Sequence, residues 1–279
     1  MIAKNGNVDV WYEVLGTKTP PILLIEGIGY SSWMWLRQRK DLASRRQIVI
    51  FDNRGVGKSS SPPGAYAMKD FVDDIQAVVE QAGIGELYVL GVSMGGMIAQ
   101  EYYFAHKEKV RGLILSNTNY GKGSVLPSQE VLKILSTSSS GQFNNEGLVE
   151  RMKPAASKRF FEEKRAEFEE LVRVRLATGD DAKGYMGQLY ATAGFGSLER
   201  LAEIDVPTLI VTSEDDIVVP PANAEELHRR IPKSRLLVFK EAGHILCIER
   251  YSDFDREILT FVDEVDSGKF KRSEQAVSA

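Results

Sequence analysis

The sequence predicts one α/β domain, with a mostly parallel sheet flanked by helices and a wholly helical segment inserted into it. Short β-rich apolar runs alternate along the chain with segments whose apolar residues recur at helical spacing. This alternation breaks between about residues 120 and 203, where no run is typical of a strand. The 279 residues, 43% of them hydrophobic, are enough to bury a sizeable core.

The predicted strands are short, apolar and bounded by turn residues, as buried parallel strands are. They are residues 7–14, interpreted as an edge strand, then 22–25, 47–51, 86–90, 110–115, 206–212 and 235–239. Apolar residues at helical spacing predict helices that include Phe71 to Ala82 and Phe254 to Val265.

These patterns divide the chain into a core of residues 1–119 and 204–266 and a helical insertion, the cap, of residues 120–203. Within the cap, residues 158–175 form a charged block at helical spacing, and the serine-rich segment 136–140 is predicted to be a flexible connector. Residues 267–279 are polar and small, which predicts a frayed, flexible tail.

A G-x-S-x-G pattern centred on Ser93 directly follows the apolar run 87–90 and precedes a helix start rich in small residues. A serine at such a sharp strand-to-helix turn sits in strained backbone geometry, so only small residues fit at Gly91 and Gly95. The serine hydroxyl then projects above the sheet, and the backbone N–H of Met94 points at the group that the serine attacks. Ser93 is therefore the candidate nucleophile.

A serine needs a base, and the chain has three histidines. His106 lies near the far end of the helix that begins at Met94, roughly 20 Å from Ser93 at a rise of ~1.5 Å per residue. His228 lies in a charged helical stretch and is interpreted as part of a solvated face. His244 follows the last apolar strand on a loop beside Gly243, so it is the candidate base.

The acid that orients the histidine should also stand at a strand end, and Asp215 and Asp216 both follow the strand 206–212. Here the chain resembles the α/β-hydrolase family, whose members carry G-x-x-D-x-x-V-P at this place. Ser213 takes the glycine position and Pro220 the proline position, which implies that Asp216 is the acid and Asp215 an exposed carboxylate. The family's alternative acid position falls in residues 116–119, which contain no carboxylate.

The same resemblance covers the loop after the strand 22–25, where family members usually have His-Gly. It implies that the backbone N–H groups of Ile28 and Met94 form the oxyanion hole. Glu26 departs from the family's histidine, so the hydrogen bonding of this loop must differ. A carboxylate so near a developing oxyanion would repel it unless it were turned away or neutralised.

Residues 52–59 resemble the family's D-x-R-G-x-G-x-S loop, which braces the site and does no chemistry. A phosphate-binding loop is not predicted from Gly57-Lys58-Ser59, because Asp52 stands where that motif needs a glycine. The helical insertion of residues 120–203, which follows the strand after the nucleophile helix, resembles the family's cap.

The resemblance implies acyl transfer: a serine esterase that cleaves a small-to-medium carboxylic ester or a lactone and needs no metal or organic cofactor. Carbon–carbon bond hydrolases and peroxidase-like members use the same three residues and remain alternatives. Haloalkane dehalogenases are disfavoured, since they need aspartate where Ser93 stands, and an aminopeptidase lacks an obvious carboxylate pair in the cap. A second class is a receptor that binds a small lactone and turns it over slowly.

Residues predicted to contact the substrate are Trp33, Met97, Phe143 and Tyr190. Such aromatic and thioether side chains suit a compact apolar group of fewer than about eight carbons. We expect them to provide no fixed charge for an acidic or amine-bearing substrate.

The net charge of −4, with charges of both signs intermixed, gives no electrostatic footing for nucleic acid. Cys247 is the single cysteine, which excludes an internal disulfide and is interpreted as a packing thiol. The chain shows no signal-peptide pattern and no membrane-length apolar run. We therefore expect a cytoplasmic monomer or homodimer without a membrane partner.

Overall fold

The computed structural model describes residues 1–136, 145–179, 181–273 and 276–278. These residues form a nine-stranded sheet in the order β1-β2-β4-β3-β5-β6-β7-β8-β9. The strands are β1 (Ile2–Asn5), β2 (Val8–Leu15), β3 (Ile22–Ile25), β4 (Ile48–Phe51), β5 (Leu87–Val92), β6 (Val110–Ser116), β7 (Thr208–Ser213), β8 (Ser234–Phe239) and β9 (Val277–Ser278). Strands β3 to β9 are all parallel to one another, which confirms the mostly parallel α/β fold.

Helices connect the parallel strands and cover both faces of the sheet, as right-handed crossover connections require. The α-helices of the described ranges are α1 (Gln38–Asp41), α2 (Met68–Gln81), α3 (Met94–Ala105), α4 (Gln129–Ser136), α5 (Asn145–Met152), α6 (Lys158–Glu163), α7 (Arg165–Thr178), α8 (Ala182–Gly194), α9 (Ala222–Arg230), α10 (Leu246–Glu249) and α11 (Tyr251–Asp266).

Successive residues of each central strand enter opposite halves of the core. In β3, Leu23 and Ile25 pack with the side chains of α2 and α3, whereas Ile22 and Leu24 pack on the other face with those of α11. All four are fully buried. This two-sided burial explains why the strands appear in the sequence as continuous apolar runs.

The N-terminal strand differs from its prediction. The segment interpreted as an edge strand is β2, which lies inside the sheet, antiparallel to both β1 and β4. The true edge is β1, a short strand with Ile2 and Lys4 exposed on one side and Ala3 buried on the other. Its four residues are too few to show the alternation that predicts a strand.

Between β6 and β7, the described residues form α4 to α8 and short 3₁₀ turns, and their only β pairing is an isolated bridge between Gly121 and Gly196. This matches the helical segment predicted for residues 120–203. The predicted connector 136–140 lies almost wholly outside the described residues.

Helix α8 rests directly on the core through one face. Its buried residues are Gly184, Gly187, Gln188 and Ala191, which recur at helical spacing. A Cβ atom on Gly184 would lie 2.0 Å from the carbonyl oxygen of Gly55, and one on Gly187 would lie 2.6 Å from the ring of Tyr66. Only glycine allows the two backbones to approach this closely.

Described residues of the predicted tail contact the core, which the sequence does not predict. The ring of Phe270 packs edge-on against Phe261 at 5.3 Å between centroids. Val277 pairs with Leu237, so that β9 extends the sheet beyond β8. Without β9, the backbone groups of β8 would be unpaired at the sheet edge, which favours adding a strand there. No helix among the described residues is long and apolar enough to cross a membrane.

Candidate active site

Ser93 occupies the sharp turn that its motif predicts, between the end of β5 and the start of α3. Its φ of 57° and ψ of −120° lie in a region that side chains rarely adopt. A Cβ atom on Gly91 would lie 2.1 Å from the carbonyl oxygen of Gly95, and one on Gly95 would lie 2.2 Å from that of Ile25. The two glycines therefore make the turn possible.

His244 and Asp216 are brought together from the ends of two neighbouring strands, β8 and β7. The Nδ1 atom of His244 lies 2.8 Å from Oδ2 of Asp216. The other carboxylate oxygen, Oδ1, accepts hydrogen bonds from the backbone N–H groups of Val218 and Val219 at 2.9 and 2.8 Å. Asp216 is 3% exposed and His244 is 8% exposed. The carboxylate is therefore held in one orientation toward the imidazole ring.

Asp215, the competing carboxylate, is exposed, whereas Asp216 is buried against the imidazole ring. Its backbone N–H donates to the carbonyl oxygen of Ala242 at 3.2 Å, which ties the loop after β7 to the loop that carries His244. The geometry thus selects Asp216 over Asp215 as the partner of the histidine.

Asn117 is a site residue that sequence reasoning missed. It follows β6, where the family's alternative acid would stand, and its φ of 45° turns its side chain toward β7. Its Nδ2 atom donates to Oδ2 of Asp216 at 2.9 Å and to the hydroxyl of Ser213 at 3.1 Å. The sequence did contain a signal for this residue, namely an amide side chain at the family's alternative acid position.

Ser93 and His244 line the same cavity, which has a volume of about 300 Å³ and lies between the sheet edge and the cap. Met94, Gly27 and Ile28 also line it. A Cβ atom on Gly27 would lie 3.4 Å from that of Ser93, so the loop after β3 runs directly beside the serine. The structure therefore brings together the predicted nucleophile, base and oxyanion donors.

The loop after β3 is held by the cap. Gly29 donates its N–H to Oε1 of Gln188 at 2.8 Å, and the Nε2 of Gln188 donates to the carbonyl oxygen of Arg54 at 2.9 Å. On the other side, the Tyr30 N–H donates to the carbonyl oxygen of Gly27 at 3.2 Å. Gln188, on α8, is fully buried and was not predicted to belong to the site.

Glu26 points away from the cavity, although the sequence places it next to the predicted oxyanion donors. Its Oε1 accepts the backbone N–H of Asn53 at 2.7 Å, and it is not among the described lining residues. Burial, followed by the nearby charge of Asp52, raises the pKa of Glu26 well above its usual value. The orientation of the Glu26 carboxyl group and its preference for the neutral form both limit its repulsion of an oxyanion.

The loop 52–59 supports the site as the resemblance implies. Asp52 accepts the backbone N–H groups of Ser32 and Lys58 at 2.6 and 2.8 Å. Arg54 makes two hydrogen bonds to the fully buried Asp74, at 2.6 and 2.7 Å. These contacts fix the loops after β3 and β4 relative to α2.

The histidine loop is also joined to the cap. Glu249 accepts the Ser157 N–H at 2.8 Å and the Ser157 hydroxyl at 2.6 Å, and it accepts the Gly243 N–H at 3.3 Å. The Ile245 N–H donates to the carbonyl oxygen of Ala155 at 3.0 Å. Burial raises the pKa of Glu249. The loop that carries His244 is therefore held from both sides.

Of the four residues predicted to contact the substrate, one lines the cavity in the structure. Met97 lines the cavity. Trp33 does not line it but is 7% exposed and packs against Tyr30 at 5.0 Å between ring centroids. Tyr190 is 58% exposed and is not a lining residue, because it lies on the solvent side of α8. Phe143 lies outside the described residues.

The prediction that the lining provides no fixed charge is wrong. Arg151 of α5 and Arg175 of α7 line the cavity among otherwise mainly apolar residues. In the sequence, Arg175 ends the charged block 158–175, whose helical spacing is equally typical of a solvated face. Among the described residues, no group of three or more His, Cys, Asp and Glu side chains is placed to hold a metal ion.

A parallel sheet with a sharp serine turn after one strand and an Asp–His pair after two later strands is the arrangement of an α/β hydrolase. The chain belongs to this family: the model of the α/β-hydrolase fold matches residues 20–251.

Curated relatives match over nearly the whole chain. A protein of Azorhizobium caulinodans named "putative carbamate hydrolase RutD" is 29% identical and covers 95% of this chain and 98% of its own. A poly(3-hydroxyalkanoate) depolymerase of Ectopseudomonas oleovorans is 27% identical, with 88% and 84% covered. These names are those of hydrolytic enzymes and support hydrolase activity for this chain.

Solved structures share the fold at lower identity. The enol-lactonase of Burkholderia xenovorans superposes with a TM-score of 0.82 at 24% identity, over 95% of this chain and 100% of its own. A thermophilic esterase of Thermogutta terrifontis gives a TM-score of 0.81 at 23% identity, over 95% and 97%.

Proposed function

We propose that this protein is a serine hydrolase that cleaves a small-to-medium carboxylic ester or lactone through an acyl-enzyme. The observation that carries the proposal is the Asp216–His244 hydrogen bond of 2.8 Å, made beside the same cavity that Ser93 faces from its strained turn. Names of relatives, which include a 3-oxoadipate enol-lactonase of Acinetobacter baylyi at 26% identity, favour the same class of substrate.

In the proposed reaction, Nε2 of His244 accepts the proton of the Ser93 hydroxyl as the oxygen attacks the carbonyl carbon. Nδ1 is engaged with Asp216, which leaves Nε2 as the basic nitrogen. Asp216 holds this tautomer and stabilises the imidazolium that forms. His244 then protonates the leaving alkoxide, and water activated by the same nitrogen releases the acid from Ser93.

The negative charge on the carbonyl oxygen is assigned to the backbone N–H groups of Met94 and Ile28. The N–H groups at the start of a helix have no acceptor within it, so the Met94 N–H is available to the substrate. Removing one such donor typically costs about 10²- to 10³-fold in kcat. The hydrogen bonds of Gly29 and Tyr30 fix the loop on either side of the Ile28 donor.

The experiment is hydrolysis of p-nitrophenyl esters from acetate to palmitate, run alongside lactones. A cavity of about 300 Å³ predicts a maximum of kcat/KM at short or middle acyl lengths. Activity still rising at palmitate would contradict the closed site. Very slow turnover of every ester and lactone would favour the receptor alternative.

The matched variant is Ser93→Ala, which removes the nucleophile and keeps the apolar contacts of the turn. We expect kcat to fall by about six orders of magnitude with little change in the thermal midpoint. A folded Ser93→Ala protein that keeps more than about a hundredth of the activity would contradict the assignment, because removing a triad residue is far more costly.

A further inference from the structure

The cavity that contains Ser93 is lined by two arginines as well as by apolar residues. Arg151 and Arg175 line it from two different cap helices, α5 and α7. Arg175 is only 4% exposed, so its guanidinium group has lost most of its contact with water. No described residue that lines the cavity is acidic.

The charges of both arginines reach Tyr30 in the loop after β3, and Arg175 lies directly over its ring. The guanidinium carbon of Arg175 lies 4.7 Å from the centre of that ring. Burial raises the pKa of Tyr30, and the positive charges of Arg175 and Arg151 partly offset this rise. Both charges therefore lie within electrostatic reach of the segment that follows Ile28.

Planar guanidinium groups bind carboxylates through two parallel hydrogen bonds, and two of them line a cavity in which no described lining residue is acidic. We propose that the preferred substrate is an anionic ester or lactone, whose carboxylate binds to Arg175 and Arg151 while its acyl carbonyl meets Ser93. The inference rests on the proposed hydrolase function and names its substrate class.

This cavity also disfavours amine-bearing substrates. An ammonium group would meet two positive charges and no carboxylate among the described lining residues. An aminopeptidase would need the opposite charge pattern, so the two arginines separate these two hydrolase classes.

The test compares two esters of the same acyl chain, mono-p-nitrophenyl adipate and p-nitrophenyl methyl adipate, whose far carboxyl group is ionised in the first and neutralised by a methyl group in the second. We expect kcat/KM to favour the anionic ester about 10-fold or more. Arg175→Gln should reduce that ratio about 10- to 100-fold, and Arg151→Gln should reduce it less, because Arg151 is more exposed. Arg175→Lys keeps the charge and should restore part of the preference.

Arg173→Gln is the matched control, since Arg173 is exposed on the same helix and does not line the cavity. It should leave the ratio unchanged. A purely structural role for Arg175 would lower the rates of both esters equally and leave the ratio as it was, which would overturn the proposal.

A binding measurement keeps the two proposals apart. Calorimetry with monomethyl adipate and dimethyl adipate on the Ser93→Ala protein tests the anionic site without turnover. Tighter binding of the monoanion, weakened about 10-fold or more by Arg175→Gln, supports the site even if both p-nitrophenyl esters prove unreactive. Equal binding of the two would overturn the charged site, and hydrolysis of the neutral ester would still leave the hydrolase function standing.

Discussion

Asp216 is held in one orientation toward His244 by several hydrogen bonds. Both of its oxygens are engaged by backbone and side-chain donors in addition to His244. Asn117 stands where a second carboxylate would compete for the histidine and instead donates to the same oxygen that His244 contacts. At the scale of single residues, the Asp216 carboxylate is surrounded by hydrogen-bond donors.

Replacing Asp216 by asparagine should lower kcat by roughly 10⁴-fold, because an amide favours the wrong histidine tautomer. Asp215→Asn is the control, since that carboxylate is exposed, and its kcat should stay within about twofold of the wild type. Steady-state kinetics of the two variants tests which aspartate is the acid. The opposite order of effects would show that the neighbouring aspartate is the acid.

Asp255 predicts a pH dependence of stability. Burial raises its pKa to about 7, and Gln38 contacts it at 3.0 Å. The unfolded carboxyl ionises near 3.8, so from pH 4 to 7 the unfolded state sheds a proton that the folded state keeps. Stability therefore falls across this window, by on the order of a few kcal/mol.

Asp255→Asn should remove this loss. Its free energy of unfolding should match the wild type near pH 4 and exceed it increasingly up to pH 7, with a constant difference above, as measured by urea unfolding. Asp253→Asn is the contrasting variant: Arg250 and then Arg256 lower the pKa of Asp253, so this change should reduce stability at pH 8. A wild-type advantage over Asp255→Asn at pH 8 would contradict the prediction.

At the scale of the element, α8 is the helix that seats the cap. Gly184 and Gly187 bring its backbone against Gly55 and the ring of Tyr66, and Gln188 on the same face reaches the loop after β3. The close contact depends on the two glycines, because a larger side chain at either position would push the helix away from the core.

Gly184→Ala should therefore destabilise the protein by about 1–3 kcal/mol and lower kcat/KM, because the added methyl group overlaps the backbone of Gly55. Gly194→Ala is the matched control in the same helix. A Cβ atom on Gly194 meets nothing within 4 Å, so alanine there should be neutral or stabilising by up to about 1 kcal/mol. Thermal midpoints and ester kinetics of the two variants test this; equal midpoints would contradict the close contact.

For the whole molecule, the cap and the core share the site. Gln188 of the cap contacts two core loops, and Ser157 of the cap contacts the loop of His244 through Glu249. The loop after β3 and the loop of His244 are thus both held by segments of the cap. Movement of the cap would alter both sides of the cavity together.

Gln188→Ala removes one acceptor and one donor from buried backbone partners, each of which would then be unsatisfied. We expect kcat to fall about 10- to 100-fold, with a lower thermal midpoint. Gln129→Ala, an exposed position at the start of α4, is the control and should change neither. Unchanged kcat in Gln188→Ala would show that the loop after β3 holds its geometry without the cap.

The sequence by itself determined the fold class and the order of the strands from β2 to β8 along the chain. Apolar runs bounded by turns located the parallel strands, and the glycines around Ser93 located the sharp turn, because both patterns are local. The strand order within the sheet, the interior place of β2 and the pairing of β9 depend on contacts between distant segments, which periodicity does not encode.

The candidate site, too, was predicted in part from the sequence and decided in part by the tertiary structure. The G-x-S-x-G motif predicted Ser93, elimination among the histidines predicted His244, and the family resemblance selected Asp216; all three follow strand ends, where parallel topology makes side chains converge. Only the tertiary structure decided that Asn117 contacts Asp216, that Gln188 reaches the loop after β3 and that Arg175 faces the cavity. A charged helix has the same spacing whether a given arginine faces water or a substrate, and packing of the cap on the core decides which.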